Sequence, residues 1–189
     1  MEGEMYFDTG LFTLPAGAVF ADVGCFDLVD TVHFARRCPD HGSIVALEPD
    51  PASWRVCQDA ADRGEANNVT VLPYGAWHCR DTLSFNAFGN GASAVVQQAQ
   101  SIDVVPLDEV FSGERVDLIK MDIEGAEHEA LRGAEGFIRR ERPVLAISAY
   151  HKPEDFISLP LLIHSIRDDY SFYFRSYSNS LVDRVLFAV

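Results

Sequence analysis

The segment Asp117-Leu118-Ile119-Lys120-Met121-Asp122-Ile123-Glu124-Gly125-Ala126-Glu127 decides the fold that the sequence predicts. Residues 118–121 form a short, mostly apolar run that is followed by carboxylates, a pattern typical of a buried strand. After Gly125 the apolar residues recur at helical spacing, at Ala126, Ala130, Leu131, Ala134, Phe137 and Ile138. The segment therefore predicts a buried strand that turns directly into a helix.

Three carboxylates surround the predicted turn. Asp122 and Glu124 fall where the strand should end, and Glu127 opens the helix. Parallel sheets bind their ligands at the carboxyl ends of the strands. Carboxylates this close raise each other's pKa and favour a bound cation or hydrogen-bond donor, although Glu127 could equally cap the helix N-terminus. Three acids do not form a clear octahedral set, and we predict no metal.

The rest of the chain repeats the alternation of strand and helix patterns. Strands are predicted over 18–24, 43–47, 69–72 and 143–150, and helices over 27–37, 51–64 and 153–167. Two further strands, 170–177 and 182–189, form a terminal hairpin through Ser178-Asn179-Ser180. Residues 83–105 predict added β-structure around Gly89-Asn90-Gly91, and residues 1–17 an N-terminal arm or capping segment. This is the pattern of a single doubly wound α/β domain over 18–189.

Composition agrees with one acidic domain. The chain has 189 residues, 48% of them apolar, which is enough for one sizeable core. A net charge of −14 argues against nucleic-acid and anionic membrane partners, because both attract clustered Lys and Arg. The acidic start differs from a basic signal peptide, and no run approaches ~20 apolar residues. We expect a cytoplasmic protein; its oligomeric state is not indicated.

Two more acids are predicted at strand ends. Asp22 and Gly24 close the first strand, where the glycine lets the backbone approach a ligand and the acid can face a positive centre. The backbone of Cys25 lies in the same loop. Glu48 ends the second strand about 20 residues later, where an acid commonly binds ribose hydroxyls. We therefore predict a cofactor site that these residues share.

His151 follows the fifth predicted strand in Ala149-Tyr150-His151-Lys152. A neutral imidazole at that position could accept a proton from a reacting hydroxyl, and a structural role is an equal alternative. The predicted catalytic residues are Asp122, His151 and Glu124.

Several segments together resemble one family. Lys120 to Glu127 (KMDIEGAE) resembles the K-[MI]-D-[VI]-E-G-x-E motif of the FkbM-type methyltransferases. Similar matches, in the same order and spacing, are VFADVG (19–24), ALEPDP (46–51), LRGA (131–134), RPVLAISAYHK (142–152) and the tail 170–178. The resemblance covers most of the chain and is specific for the family, but not for a substrate.

The resemblance implies a Rossmann-like, mostly parallel seven-stranded sheet whose last strand is antiparallel, the class I methyltransferase fold. It also implies S-adenosylmethionine as cofactor and a small-molecule or carbohydrate hydroxyl as acceptor. In that interpretation the cofactor-binding residues are Asp22, Gly24, Cys25, Glu48, Gly75, Ala76 and Asp122.

A nicotinamide cofactor is the main competing interpretation, since it uses the same architecture. Its pyrophosphate needs a G-x-G-x-x-G loop at a helix start. This chain has one glycine there, followed by Asp27 and Asp30, which would repel phosphates. A cofactor with a positive centre and no phosphates fits the loop better.

The sequence also departs from the family pattern. Leu28 and Val29 stand where the first loop usually has another glycine, and they either crowd the cofactor or begin the helix early. Ser148 and Ser176 stand where many members have Glu and His. The alternative function is therefore a methyltransferase-like protein that binds the cofactor without turnover.

Overall fold

The computed structural model describes residues 5–7, 10–85, 100–178 and 183–189. Strands and helices alternate through these ranges. The strands are β1 (Phe20–Val23), β2 (Ile44–Leu47), β3 (Val69–Leu72), β4 (Gly75–Ala76), β5 (Asp81–Phe85), β6 (Gln100–Val105), β7 (Leu118–Met121), β8 (Val144–Ser148), β9 (Phe172–Ser176) and β10 (Arg184–Ala188). The helices are α1 (Val29–Arg37), α2 (Pro51–Asp62), α3 (Leu107–Val110), α4 (Glu127–Arg132), α5 (Glu135–Glu141) and α6 (Asp155–Ile166).

Seven strands form one sheet in the order β3-β2-β1-β7-β8-β10-β9. The first five in this order are parallel, whereas β10 lies antiparallel between β8 and β9. The predicted seven-stranded sheet with a terminal antiparallel hairpin is confirmed, although part of its predicted turn, residues 179 and 180, lies outside the described residues. Since the five parallel strands end at the same edge, the residues that follow them meet there.

Alternate residues of the central strands face opposite layers. Ala21, Ile119 and Leu145 belong to the core cluster that also contains α4, α5 and α6 residues. Phe20, Leu118 and Ala146 belong to a second cluster that contains residues of α1 and the N-terminal arm. Asp22, Lys120 and Ser148 lie two residues further along the same strands. Strand alternation therefore puts these three polar side chains on the arm-covered face.

The N-terminal arm closes that second face. Tyr6 and Phe7 are buried, and the Phe7 ring centroid lies 5.6 Å from that of Phe20 and 5.9 Å from that of Phe34. Tyr6 is only 1% exposed. The arm thereby carries a tyrosine from the start of the chain into the middle of the sheet.

The apolar spacing after Gly125 predicted one continuous helix, but the structure has two. α4 ends at Arg132 and α5 begins at Glu135. A Cβ on Gly133 would lie 2.0 Å from the Trp77 carbonyl oxygen, and the Gly133 carbonyl accepts a 2.8 Å hydrogen bond from the Asp108 amide. Contacts with distant residues therefore break the helix where the local pattern alone would continue it.

The β-structure predicted over 83–105 is a second sheet of order β4-β6-β5. β6 pairs antiparallel with β5 and parallel with the short β4. The predicted turn at residues 89–91 lies outside the described residues, and α3 was not predicted. None of the helices in the described ranges combines the length and hydropathy that crossing a bilayer requires.

Candidate functional site

A buried ion pair joins β1 and β7 below the edge where the parallel strands end. Asp22 and Lys120 are register partners, and Lys120 Nζ lies 3.0 Å from Asp22 Oδ1 and 3.5 Å from Asp30 Oδ2. Lys120 also donates a 2.6 Å hydrogen bond to the Gly24 carbonyl oxygen. Burial alone would lower the pKa of Lys120, but Asp22 and Asp30 outweigh it and raise that pKa above the ordinary value. Lys120 is therefore a permanent charge that anchors the loop after β1.

Asp22 itself is fully buried. Its second oxygen, Oδ2, accepts a 2.7 Å hydrogen bond from Thr31 Oγ1. Both carboxylate oxygens thus contact side chains of the protein, and Asp22 links β1 to α1 as well as to β7. Its predicted contact with a cofactor stays a prediction, and the visible contacts make it a residue that positions the Gly24 loop.

Gly24 is required by the path of this loop. It has φ +83°, and a Cβ there would lie 2.0 Å from the Asp122 carbonyl oxygen. Only a residue without a side chain allows the β1 loop to pass this close to the end of β7. Cys25, the next residue, turns inward and its thiol donates to Cys57 Sγ at 3.3 Å. Its amide donates to the Leu47 carbonyl at 3.1 Å.

Glu48 supports the same loop from β2. Its Oε2 accepts a 3.0 Å hydrogen bond from the Phe26 amide, and its Oε1 accepts a 2.9 Å bond from the Asp50 amide. Burial raises the pKa of Glu48, although these two donors oppose the shift. Each oxygen keeps a second lone pair. Gly75 packs behind this turn, where a Cβ would lie 3.5 Å from Pro49 Cβ, and the adjoining Ala76 is buried in β4.

Leu28, one of the departures from the family pattern, lies at the start of α1. It is buried among Cys25 and Cys57, takes φ +69°, and is the N-cap of α1. The helix thus begins directly after Leu28, at Val29, which agrees with the second of the two alternatives. Phe26, two residues before it, takes φ +49° and is 69% exposed beside Glu48, a feature that the sequence did not indicate.

Asp122 follows β7, and its carboxylate lies close to the hydroxyl groups of two tyrosines. Tyr6 Oη donates a 2.9 Å hydrogen bond to Asp122 Oδ2 and lies 2.9 Å from Ser148 Oγ. Tyr150 Oη lies 3.4 Å from both Asp122 oxygens. The Asp122 side chain remains 23% exposed, so one side of the carboxylate is open to a ligand.

His151 stands between three carboxylates. Its Nδ1 lies 2.9 Å from Glu127 Oε1, and its Nε2 lies 3.4 Å from Asp122 Oδ1 and 3.6 Å from Glu124 Oε2. Burial would lower the pKa of His151, but Glu127, Asp122 and Glu124 outweigh it and raise that pKa. Burial would likewise raise the pKa of Glu127, and His151 outweighs it. Glu127 therefore favours the protonated form of His151, and His151 favours the ionised form of Glu127.

Glu127 also shapes the turn before α4. Its Oε1 accepts the amides of Ile123 and Gly125, at 3.1 and 3.3 Å. This resembles the capping alternative from the sequence, except that the donors precede the helix. Glu124, with φ +56°, is 84% exposed and lies on the outer side of the cluster.

The structure thus groups the predicted residues in two sets. Asp22, Gly24, Cys25 and Glu48 build the β1 loop and its supports, with Gly75 and Ala76 behind them, while Asp122, Glu124 and His151 form the second set at the ends of β7 and β8. Sequence analysis did not identify Tyr6, Thr31 or Lys120 as members of either set. The signal for Lys120 was present in the sequence: a lysine inside the predicted buried strand 118–121 needs an acidic partner, and acids were predicted at the neighbouring strand ends.

The methyltransferase FkbM domain matches residues 17–177. The structure of methyltransferase FkbM from Methylobacillus flagellatus KT is similar with a TM-score of 0.84 and 28% identity, over 99% of this chain and 47% of that one. The chain thus spans about half the length of that protein. No curated protein matches it.

More distant structures share the fold. Precorrin-6y C5,15-methyltransferase from Geobacter metallireducens GS-15 has a TM-score of 0.56 and 15% identity, over 91% of this chain and 78% of that one. Aeropyrum pernix fibrillarin, in complex with natively bound S-adenosyl-L-methionine, has a TM-score of 0.59 and 14% identity, over 98% and 73%. At these identities the likeness shows the class I methyltransferase architecture alone.

Proposed function

Because the chain belongs to the FkbM methyltransferase family, we propose that it transfers a methyl group from S-adenosylmethionine to a hydroxyl of a small molecule, sugar or glycan precursor. The observation that carries the proposal is the strand-end edge at which Gly24, Glu48 and Asp122 meet. This edge presents carboxylates and one tight glycine loop, which suit hydroxyls and a positive centre better than phosphates.

The residues present fit this cofactor. The unused lone pairs of Glu48 can accept ribose hydroxyls, and Asp122 can face the positive methionine end. Asp22, Gly24 and Cys25 keep the β1 loop in place, and the backbone of Gly75 and Ala76 flanks Glu48. Bound there, S-adenosylmethionine supplies an activated methyl group to the acceptor.

On the acceptor side, Asp122 and His151 carry the chemistry. The open side of Asp122 accepts a hydrogen bond from the acceptor hydroxyl and orients it. The neutral form of His151 takes up the proton that this hydroxyl loses, and the imidazolium that results is stabilised by Glu127 and Asp122. Glu124 lies at the solvent side of the same cluster. The cytoplasm is the proposed location, and the acceptor is a small molecule or a carbohydrate.

Calorimetric titration with S-adenosylmethionine, with NADH as control, tests the cofactor. We expect micromolar binding of the former alone, and about tenfold weaker binding in Glu48→Gln, because hydrogen bonds to a charged group are lost. Glu65→Gln, at an exposed glutamate after α2, is the matched control. Unchanged affinity in Glu48→Gln would show that the site assignment is wrong.

A binding protein without turnover is the second candidate, and Tyr6 is the observation that favours it. Its hydroxyl already occupies Asp122 Oδ2 and contacts Ser148, one of the departures from the family pattern. Mass spectrometry of a broad acceptor panel separates the two functions. Cofactor binding with a methylated product supports the enzyme, and binding without any product supports the second candidate.

A further inference from the structure

Three polar atoms at the acceptor side are buried without a hydrogen bond. Among the described residues, Glu127 Oε2, His151 Nδ1 and His151 Nε2 have no hydrogen-bond partner. His151 Nδ1 and Glu127 Oε1 are 2.9 Å apart and form an ion pair when the imidazole is protonated, whereas Glu127 Oε2 has no such neighbour among the described residues. Glu127 is fully buried and the His151 side chain is 9% exposed. Buried polar atoms of this kind are rare, and a bound cation would give Glu127 Oε2 the partner that it lacks.

The donors around these atoms have the spacing of a metal site. One ligand atom each from Asp122, Glu127 and His151 all lie within 4.8 Å of one another. Two donors bonded at about 2.1 Å to one ion lie roughly 3 Å apart when adjacent and ~4.2 Å apart when opposite. The separations of the three donors are therefore of the size that a shared ion requires.

We propose that Asp122, Glu127 and His151 bind one divalent transition-metal cation, of the Mn²⁺ or Zn²⁺ class. In the sequence only acids were apparent around this turn, and no metal was predicted. The fold adds an imidazole from the end of β8, and one nitrogen with two carboxylates is a donor set that suits these ions better than Mg²⁺ or Ca²⁺. Both ring nitrogens of His151 lie within 3.6 Å of a carboxylate oxygen, so the nitrogen that does not bind the ion still has a carboxylate that orients the ring.

The charge around the cluster supports a cation. Asp122, Glu124 and Glu127 surround a single imidazole, so two negative charges remain even when His151 is protonated. The ammonium group of Lys152 donates a hydrogen bond to the Gly125 carbonyl oxygen. Lys152 is exposed, so solvent weakens its electrostatic effect on the buried carboxylates. A divalent ion would neutralise this excess.

Because one side of Asp122 is exposed, an ion bound there could also contact the acceptor. Three protein ligands leave further coordination positions, and those on the exposed side can take the acceptor hydroxyl. Coordination lowers the pKa of a bound hydroxyl and favours loss of its proton. This role rests on the proposed methyl transfer; the binding of the ion does not.

Titration of metal-free wild-type protein with Mn²⁺, followed by the electron paramagnetic resonance signal of the free ion, tests the proposal. We expect one bound ion per chain, displaced by Zn²⁺ and not by Mg²⁺. Glu127→Gln should weaken Mn²⁺ binding more than about tenfold. Its amide oxygen can still accept the Ile123 and Gly125 amides, so the turn should survive.

His128→Gln is the matched control, because it removes a neighbouring imidazole that instead pairs with Ser158 of α6. Its affinity for Mn²⁺ should be unchanged. If circular dichroism shows that Glu127→Gln is unfolded, Asp122→Asn replaces it. Absence of a site in the wild type, or equal binding in the folded ligand variants and the control, overturns the proposal. Neither readout needs cofactor or acceptor, so failure of the proposed methyl transfer would be seen separately.

Discussion

The hydroxyl of Tyr6 donates a 2.9 Å hydrogen bond to Asp122 Oδ2 across 116 residues of sequence. It ties the N-terminal arm to the end of the central strand. Burial, and then the charge of Asp122, raise the pKa of Tyr6, so the hydroxyl keeps its proton at neutral pH. The arm is therefore part of the site and not merely a cover for the core.

Tyr6→Phe should lower the free energy of unfolding by about 1–3 kcal/mol, because a charged acceptor loses its buried donor. Urea denaturation measures the change. Tyr173→Phe, at a surface position on β9, should stay within about 0.5 kcal/mol of the wild type. Equal stability of the two variants would mean that the Tyr6 hydrogen bond contributes nothing.

Gly24→Ala should destabilise the fold by about 3 kcal/mol or more. The new Cβ would meet a backbone oxygen at 2.0 Å, and no side-chain rotation can relieve that contact. Gly113→Ala separates the two causes, since Gly113 has a similar φ of +81° but nothing within 4 Å of the added Cβ. Gly113→Ala should lower the free energy of unfolding by only about 1 kcal/mol. If both variants lost a similar amount of stability, the positive φ alone would explain the effect.

Lys120→Met should lower the free energy of unfolding by about 3–5 kcal/mol, because Asp22 and Asp30 would lose the cation that compensates their burial. Chemical denaturation gives the value, with the exposed Lys152→Met as control. Adding Asp22→Asn to Lys120→Met should recover part of the loss, since fewer uncompensated charges remain. A double variant whose loss is the sum of the single losses would contradict the coupling.

Asp30 should make stability depend on pH. Burial raises its pKa from 3.8 to about 6, although Lys120 opposes the shift. The folded state therefore binds the proton more tightly than the unfolded state, and stability is lost as the pH rises from about 4 to about 6. Asp30→Asn should be more stable than the wild type at pH 7.5 by about 1–3 kcal/mol.

This advantage should shrink to roughly half at pH 5, where the folded wild type already keeps most of the proton. Urea denaturation at the two pH values measures it. Asp59→Asn, at an exposed position of α2, controls for loss of a negative charge. An advantage of the same size at both pH values would exclude the raised pKa of Asp30 as its cause.

The sheet was predictable because its signals are local. β1, β2 and β7 are short, mostly apolar runs that are followed by Gly24, Glu48 and Asp122. α2 begins at the predicted cap, where Asp50 accepts the amides of Ala52 and Ser53. These patterns gave the strand ends and therefore the edge that carries Glu48, Asp122 and His151.

Contacts between distant residues were not predictable in the same way. Nothing near Tyr6 indicates that its hydroxyl reaches Asp122, and the pairing of Lys120 with Asp22 depends on the strand order. The break between α4 and α5 likewise follows from the approach of Trp77 to Gly133. Each of these features exists only once the sheet has been assembled.

The position of β10 has a consequence for how the protein is made. β10 is the last of the seven strands to leave the ribosome, yet it lies inside the sheet and supplies the partner of β9 and of one side of β8. Until residues 184–188 emerge, β9 has no strand to pair with and β8 is an open edge. Such edges invite pairing with other chains. The interval between synthesis of β8 and of β10 should therefore be the time when the nascent chain is most prone to aggregate and most dependent on chaperones.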